Sequence, residues 1–198
     1  MKVLVGCETS GVVRRAFASR GHTTYSCDLL PAEDGSDYHI RGDVRKYFHG
    51  EWDLAILHPP CTRLCNSGVR WLSIPPPGKT RQEMWDDLDL GAALFSACWN
   101  AKIPRLAVEN PRMHRHAKIR ITNYEEPTQV IQPWQFGHME TKETCLWLKA
   151  LPLLAPTKIE HIRLQMVHET PRSKDRWVSR SRTYEGIAEA MAEQWGGN

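Results

Sequence analysis

WDLAILHPPC, residues 52–61, is the stretch on which the reading of the fold turns. Residues 52–57 carry a short apolar run of the kind found in a strand buried on both faces. That run ends in Pro59 and Pro60. Each proline holds φ near about −65° and lacks an N–H, so the ladder stops there and the next side chain is aimed. The next side chain is Cys61. A structural cysteine needs no such support, which leaves a nucleophile, a metal ligand or an accident of a turn.

Outward from this strand, the chain alternates. Lys2–Gly6 reads as a first strand, and residues 11–20 as a helix with Val12, Val13, Ala16 and Phe17 on one face. Residues 23–30 read as a second strand ending at Asp28, and a short third strand ends at Gly42 and Asp43. A Gly/Pro/Ser-rich loop covers 66–79 and holds Pro75, Pro76 and Pro77. A long helix over 80–101 follows, with Trp85, Leu88, Ala92, Phe95 and Trp99 at helical spacing. Arg105–Asn110 is a fifth strand; 128–136 and 143–148 form a late hairpin around Gly137. In the last helix, 182–195, the stripe Tyr184, Ile187, Ala188, Met191, Ala192 and Trp195 reads as core packing.

The pattern predicts an α/β fold with a doubly wound, mostly parallel sheet and a late antiparallel hairpin. Ligands of such sheets bind at the carboxyl ends of the strands, beside the reversal in strand order. The polar residues expected there are Cys7, Glu8, Thr9, Asp28, Asp43, Cys61, Glu109 and Asn110. Asp28, 17 positions past Gly11, suits the hydroxyls of a ribose. Asp43 suits an exocyclic amine, or is simply a turn cap.

A chain of 198 residues, 41% hydrophobic and 25% charged, is expected to form one domain over 1–198. No apolar run approaches the roughly 20 residues of a membrane span. The N-terminus runs straight into a strand, so no signal peptide is expected and the location is read as cytoplasmic. The six cysteines lack a disulfide spacing and are expected to be reduced. Net charge is only +3, but Lys158–Arg182 holds seven Lys/Arg against three Asp/Glu, with Trp177 among them. Such a segment suits a phosphate backbone, or is a solvated loop. Zinc sites favour matched C-x-x-C pairs, which Cys61, Cys65 and His58 do not supply, so no metal is expected. His114 and His116, in an Arg-rich turn, read as solvated.

Cys61 and Glu109 are the informative pair. A thiolate can add to C6 of a pyrimidine and make C5 a carbon nucleophile, while a carboxyl group contacts a ring nitrogen. Here the sequence resembles a known family. His58–Cys65, HPPCTRLC, is similar to the P-P-C motif of the cytosine-C5 DNA methyltransferases, and Val108–Pro111, VENP, to their E-N-V motif. Residues 136–148 align with their Q-x-R-x-R segment and the strand after it. The resemblance is strongest to short phage and prophage members that lack a large target-recognition domain.

That resemblance implies a Rossmann-like S-adenosylmethionine-dependent methyltransferase fold. It implies cofactor contacts from Cys7, Glu8, Thr9, Gly11, Asp28, Asp43 and Pro60, with Cys61 and Glu109 as catalytic residues. Pro60, Arg63, Asn110, Lys142 and Thr144 would meet the substrate. The implied partner is DNA, either double-stranded with the base flipped out or single-stranded, and the implied setting is the cytoplasm, that of a bacterial host if the chain is phage-encoded. Residues 62–80 would form a mobile active-site loop over the base, and 152–181 a reduced, basic recognition segment. Departures accompany the match. The first turn lacks F-x-G-x-G; Glu140, Lys142 and Thr144 stand where Gln, Arg and Arg are usual. Either Lys142 takes over the arginine contact to the cytosine carbonyl or the base sits differently. The expected activity is C5 methylation of DNA cytosine with a short or relaxed sequence context. The alternatives are an inactive nucleic-acid-binding protein of the same fold, or methylation of RNA or a free cytidine nucleotide.

Overall fold

The computed structural model describes residues 1–164 and 181–197. Of the basic segment expected at 152–181, residues 165–180, Trp177 included, lie outside the described residues. The strands are β1 (Lys2–Gly6), β2 (Thr23–Asp28), β3 (His39–Arg41), β4 (Leu54–Leu57), β5 (Arg105–Asn110), β6 (Gln129–Ile131) and β7 (Thr144–Lys149). The helices are α1 (Val12–Ala18), α2 (Arg81–Trp99), α3 (Arg115–Lys118) and α4 (Glu185–Gly196).

The strands form one seven-stranded sheet in the order β3-β2-β1-β4-β5-β7-β6. Pairing is parallel from β3 to β5, and β7 runs antiparallel to both of its neighbours. The chain winds outward from β1 to β3 and then returns to place β4 on the other side of β1. That reversal opens a crevice at the carboxyl ends of β1 and β4.

Side chains alternate across each strand, so the sheet feeds two cores. Leu4, Leu57, Leu106 and Trp147 face α2, where Met84, Leu88, Phe95 and Trp99 are buried. Val3, Val5, Ile56 and Leu146 face α1 and α4, and meet Val13, Phe17, Ile187, Met191 and Trp195. Thr80 and Glu83 cap the start of α2 reciprocally: the Thr80 hydroxyl accepts from the Glu83 N–H, and the Glu83 carboxylate accepts from the Thr80 N–H. At the start of α4 only glycine fits at 186, because a Cβ there would collide with the Phe136 carbonyl.

Several expected boundaries move. The 52–57 strand begins at Leu54, and the third strand stops at Arg41, leaving Asp43 to cap the 3-10 turn Val44–Tyr47. The late hairpin forms, yet its first arm is only Gln129–Ile131. Residues 133–135 leave the sheet as a 3-10 turn, since Pro133 has no N–H for the ladder. His114 is buried, not solvated. Its Nδ1 accepts from the Ala117 N–H at the start of α3, and its Nε2 lies 2.7 Å from the Arg63 carbonyl.

Candidate active site

The strand ends on the β1–β3 side carry the acidic residues. Cys7 follows β1 in the left-handed region, at φ 58°, with its N–H donating to the Cys27 carbonyl at 2.7 Å. Its thiol is pushed up to about 12, first by burial and then by Asp28, Cys27 and Asp43. The first three strand ends therefore converge on one small volume. Glu8 is buried and turned back: its carboxylate accepts from Val13 N–H at 2.7 Å and Arg14 N–H at 3.4 Å. The N-terminus of α1 is thus filled by the chain's own anion.

Thr9 and Gly11 face the loop after β2. The Thr9 hydroxyl donates to Glu33, which also pairs with Arg182, and Asp34 pairs with Arg14 and Arg15. Asp43 accepts from its own turn and from the Arg45 guanidinium, whose hydrogen bond holds the carboxyl below its usual range despite burial. Asp28 accepts from the Leu30 N–H through Oδ1. Beside it, Leu29 and Leu30 are exposed.

The β4–β5 side is built differently. Register pairs Leu57 with Val108, which sets His58 beside Glu109 and Pro59 beside Asn110. The last ladder bond on this strand runs from the His58 N–H to the Gly6 carbonyl at 2.9 Å; the prolines end it. His58 Nδ1 lies 3.0 Å from Glu109 Oε2, with both side chains largely buried. Burial pushes Glu109 up, but the His58 hydrogen bond, the His58 charge and Lys142 together hold it below its ordinary value. Asn110 is buried and donates from Nδ2 to the Pro59 carbonyl at 2.6 Å, pinning the turn that presents Cys61. Among the described residues, His58 Nε2 and Asn110 Oδ1 are buried without a hydrogen-bond partner.

Cys61 is half-buried on this turn, and the Cys65 N–H donates to its carbonyl at 3.2 Å. The neighbouring Cys65 thiol pushes the Cys61 thiol up, as do burial and Glu109, while Lys142 acts against them. Cys61 in turn draws Cys65 down. Burial opposes this, and the Ser67 hydroxyl with the N–H groups of Ser67 and Gly68 adds to it. Lys142 reaches in from the segment before β7, 5.6 Å from the Tyr184 ring. Glu109, Lys142, Thr144 and Tyr184 line a shallow open cleft, with the buried Ile187 and Met191 beneath them.

Neither a protein-family model nor a curated protein matches the chain. Solved structures do. The Entamoeba histolytica methyltransferase EhMeth superposes with a TM-score of 0.50 at 13% identity, over 81% of this chain and 57% of its own. The chain shares that protein's fold. A protein assigned as a DNA modification methyltransferase, encoded within an E. coli prophage, gives 0.49 at 13% identity, over 82% and 53%. A Spodoptera frugiperda DNMT2 variant gives 0.41 at 11%, over 87% and 60%. The chain therefore spans little more than half the length of these structures.

Among the expected site residues, the fold brings Cys61, Glu109, Asn110, Lys142 and Thr144 together, and Cys7, Asp28 and Asp43 on the adjoining side. Thr144 is buried, its hydroxyl donating to the Lys142 carbonyl at 3.1 Å. Pro60 is exposed beside Cys61. Arg63 is drawn away, its guanidinium 3.4 Å from Asp87 on α2. His58, Cys65 and Tyr184 were not anticipated as parts of the site. His58 was legible only as the residue beside the prolines, and its partner depends on register. Among the described residues no cluster of three or more His, Cys, Asp or Glu could hold a metal, and no helix is long and apolar enough to cross a membrane.

Proposed function

We propose that the protein is an S-adenosylmethionine-dependent methyltransferase acting at C5 of cytosine in DNA, through a covalent bond to Cys61. The observation that carries this reading is the convergence of Cys61, Glu109 and Lys142 on adjacent strand ends, next to the acidic ends of β1–β3. The donor set fits that cofactor. Glu8 already occupies the α1 N-terminus, so a phosphate has no seat there, whereas Asp28 and Asp43 suit a cationic, phosphate-free ligand with a ribose and an adenine. When bound, S-adenosylmethionine supplies an electrophilic methyl group.

The chain's residues prepare the acceptor. The Cys61 sulfur adds to C6, and the C5–C6 π pair moves onto C5, which becomes nucleophilic. The Glu109 carboxylate accepts from the N4 amino group, and from N3 only once N3 is protonated, and Lys142 faces the O2 carbonyl. Loss of the C5 proton after transfer returns the electron pair, and the C6–S bond breaks. Leu64, Cys65 and Leu72 are buried, so residues 73–80 are the part of the 62–80 loop suited to close over a flipped base. With few side chains available to read a groove, the context should be at most about two or three bases.

Labelled cofactor incubated with DNA, RNA or dCTP, followed by nucleoside mass spectrometry, tests the reading. The expected product is 5-methyldeoxycytidine from DNA. Label in RNA or dCTP alone would move the substrate, and no label in any of them would leave a binding protein.

A further inference from the structure

The residue before the two prolines is as constrained as the one after them. His58 makes the last ladder bond of its strand, and register sets it beside Glu109. Val108 faces α2, so Glu109 points to the opposite face, toward the cleft under Tyr184, and the His58 ring meets it there. His58 Nδ1 lies 3.0 Å from Glu109 Oε2, with both side chains largely buried. The contact has a direction. A bare Nδ1 would require Glu109 to donate and would send the ring's proton to Nε2, which is buried with no acceptor among the described residues. With the proton on Nδ1 the ring donates to Oε2, and the Glu109 carboxylate is left as an acceptor only. The other titratable groups facing Glu109 are Lys142, whose charge favours the ionised carboxylate, and the Cys61 thiol.

We propose that His58 is a positioning residue that sets base choice: its Nδ1–H occupies Glu109 Oε2 and leaves Oε1 as the acceptor for the amino group of cytosine. Uracil presents a carbonyl oxygen at that position, so an acceptor would face an acceptor. Without the His58 donor, the buried Glu109 loses the main influence that keeps it ionised, and burial favours its neutral form. A protonated Glu109 can donate to the uracil oxygen as well as accept from the cytosine amine. The distinction between the two bases then fades. His58 acts through Glu109, not on the base. The inference rests on the reading of Cys61 as nucleophile and Glu109 as the contact to the base.

Two variants separate an oriented donor from simple packing. His58→Asn places an amide nitrogen where Nδ1 stood, because both atoms are bonded to Cγ, and so keeps the donor. His58→Leu fills more of the space but donates nothing. The measurement is the rate of Cys61 adduct formation on two DNAs, one containing 5-fluorocytosine and one 5-fluorouracil. Wild type and His58→Asn should favour the cytosine DNA to a similar degree. In His58→Leu the ratio of the two rates should fall about tenfold or more. A packing defect slows both adducts alike and leaves the ratio where it was. An unchanged ratio in His58→Leu, or an equal fall in His58→Asn, therefore overturns the proposal. Nitrogen NMR of protein carrying isotope-labelled histidine needs no turnover: the His58 signal, assigned by its loss in His58→Asn, should show a protonated Nδ1. A bare Nδ1 overturns the proposal by itself. Should Nδ1 carry its proton while wild type forms no adduct on either DNA, the His58 contact to Glu109 stands and the reading of Cys61 as nucleophile falls.

Discussion

The two halves of the sheet's carboxyl edge treat their polar groups in opposite ways. On the β1–β3 side the carboxylates are mostly consumed by the chain: Glu8 by α1, Asp34 by Arg14 and Arg15, Asp43 by Arg45. Among the described residues, the buried atoms without a partner at the strand ends are His58 Nε2 and Asn110 Oδ1 on the β4–β5 side, whereas Arg14 Nε, also unpaired, lies in α1 behind its ion pair with Asp34. An unmade buried hydrogen bond costs about 1–3 kcal/mol, so a fold retains such groups where something else uses them. The first half is a frame and the second is where chemistry is expected.

Substitutions can break that contrast or sharpen it. The largest effect is expected at Cys61→Ser, which should cut methyl transfer by at least about a thousandfold, because oxygen is a far poorer nucleophile toward C6. Cofactor affinity measured by calorimetry should stay nearly unchanged. Full activity in this variant would remove the chemistry from the β4–β5 side.

In the frame, Asp34→Asn should act on stability rather than on turnover. It leaves the buried Arg14 guanidinium without its counter-charge, at a cost of about 3 kcal/mol in denaturant unfolding. Burial raises the Asp34 carboxyl, but the hydrogen bond from Arg15, the Arg14 charge and the Ser36 N–H together hold it below its usual value. Its contribution is therefore present above the unfolded value of about 3.9 and is lost as pH falls through the folded one. The gap between variant and wild type should close in that acidic window and stay constant at neutral pH.

Asp28→Ala should weaken S-adenosylmethionine binding roughly ten- to a hundredfold, the usual loss for a charge-assisted hydrogen bond of ~1.5–3 kcal/mol. Asp43→Ala should do less to affinity, since Arg45 already occupies its carboxylate. Removing that cap should cost about 1 kcal/mol of stability. Equal affinity losses at Asp28 and Asp43 would show that Arg45 yields Asp43 to the ligand, and would blur the line between frame and site.

Much of the architecture was legible in the chain. Arg105–Asn110 appears as a strand with the expected limits, and the second strand ends at Asp28, because apolar runs bounded by turn residues leave little choice. That Cys61 stands just past the end of the fourth strand was legible from the apolar run and the prolines after it. Asp43 was legible as either a ligand group or a cap; in the structure it caps the Val44–Tyr47 turn at the carboxyl edge, where the two roles are compatible.

Other features needed the third dimension. Nothing local to His58 says that it sits 3.0 Å from Glu109, 51 positions away; the parallel register of β4 on β5 decides that. His114 looks solvated in an Arg-rich turn, yet packing buries it against the Arg63 carbonyl. The Tyr184–Trp195 stripe was rightly read as core, but only packing against β5 and β7 brings Tyr184, at its start, beside Glu109 and Lys142. Local sequence determines which segments are strands and which side chains stand at their ends. Which of those side chains meet, and which are spent on the chain's own backbone, is set by register and packing between segments far apart in sequence.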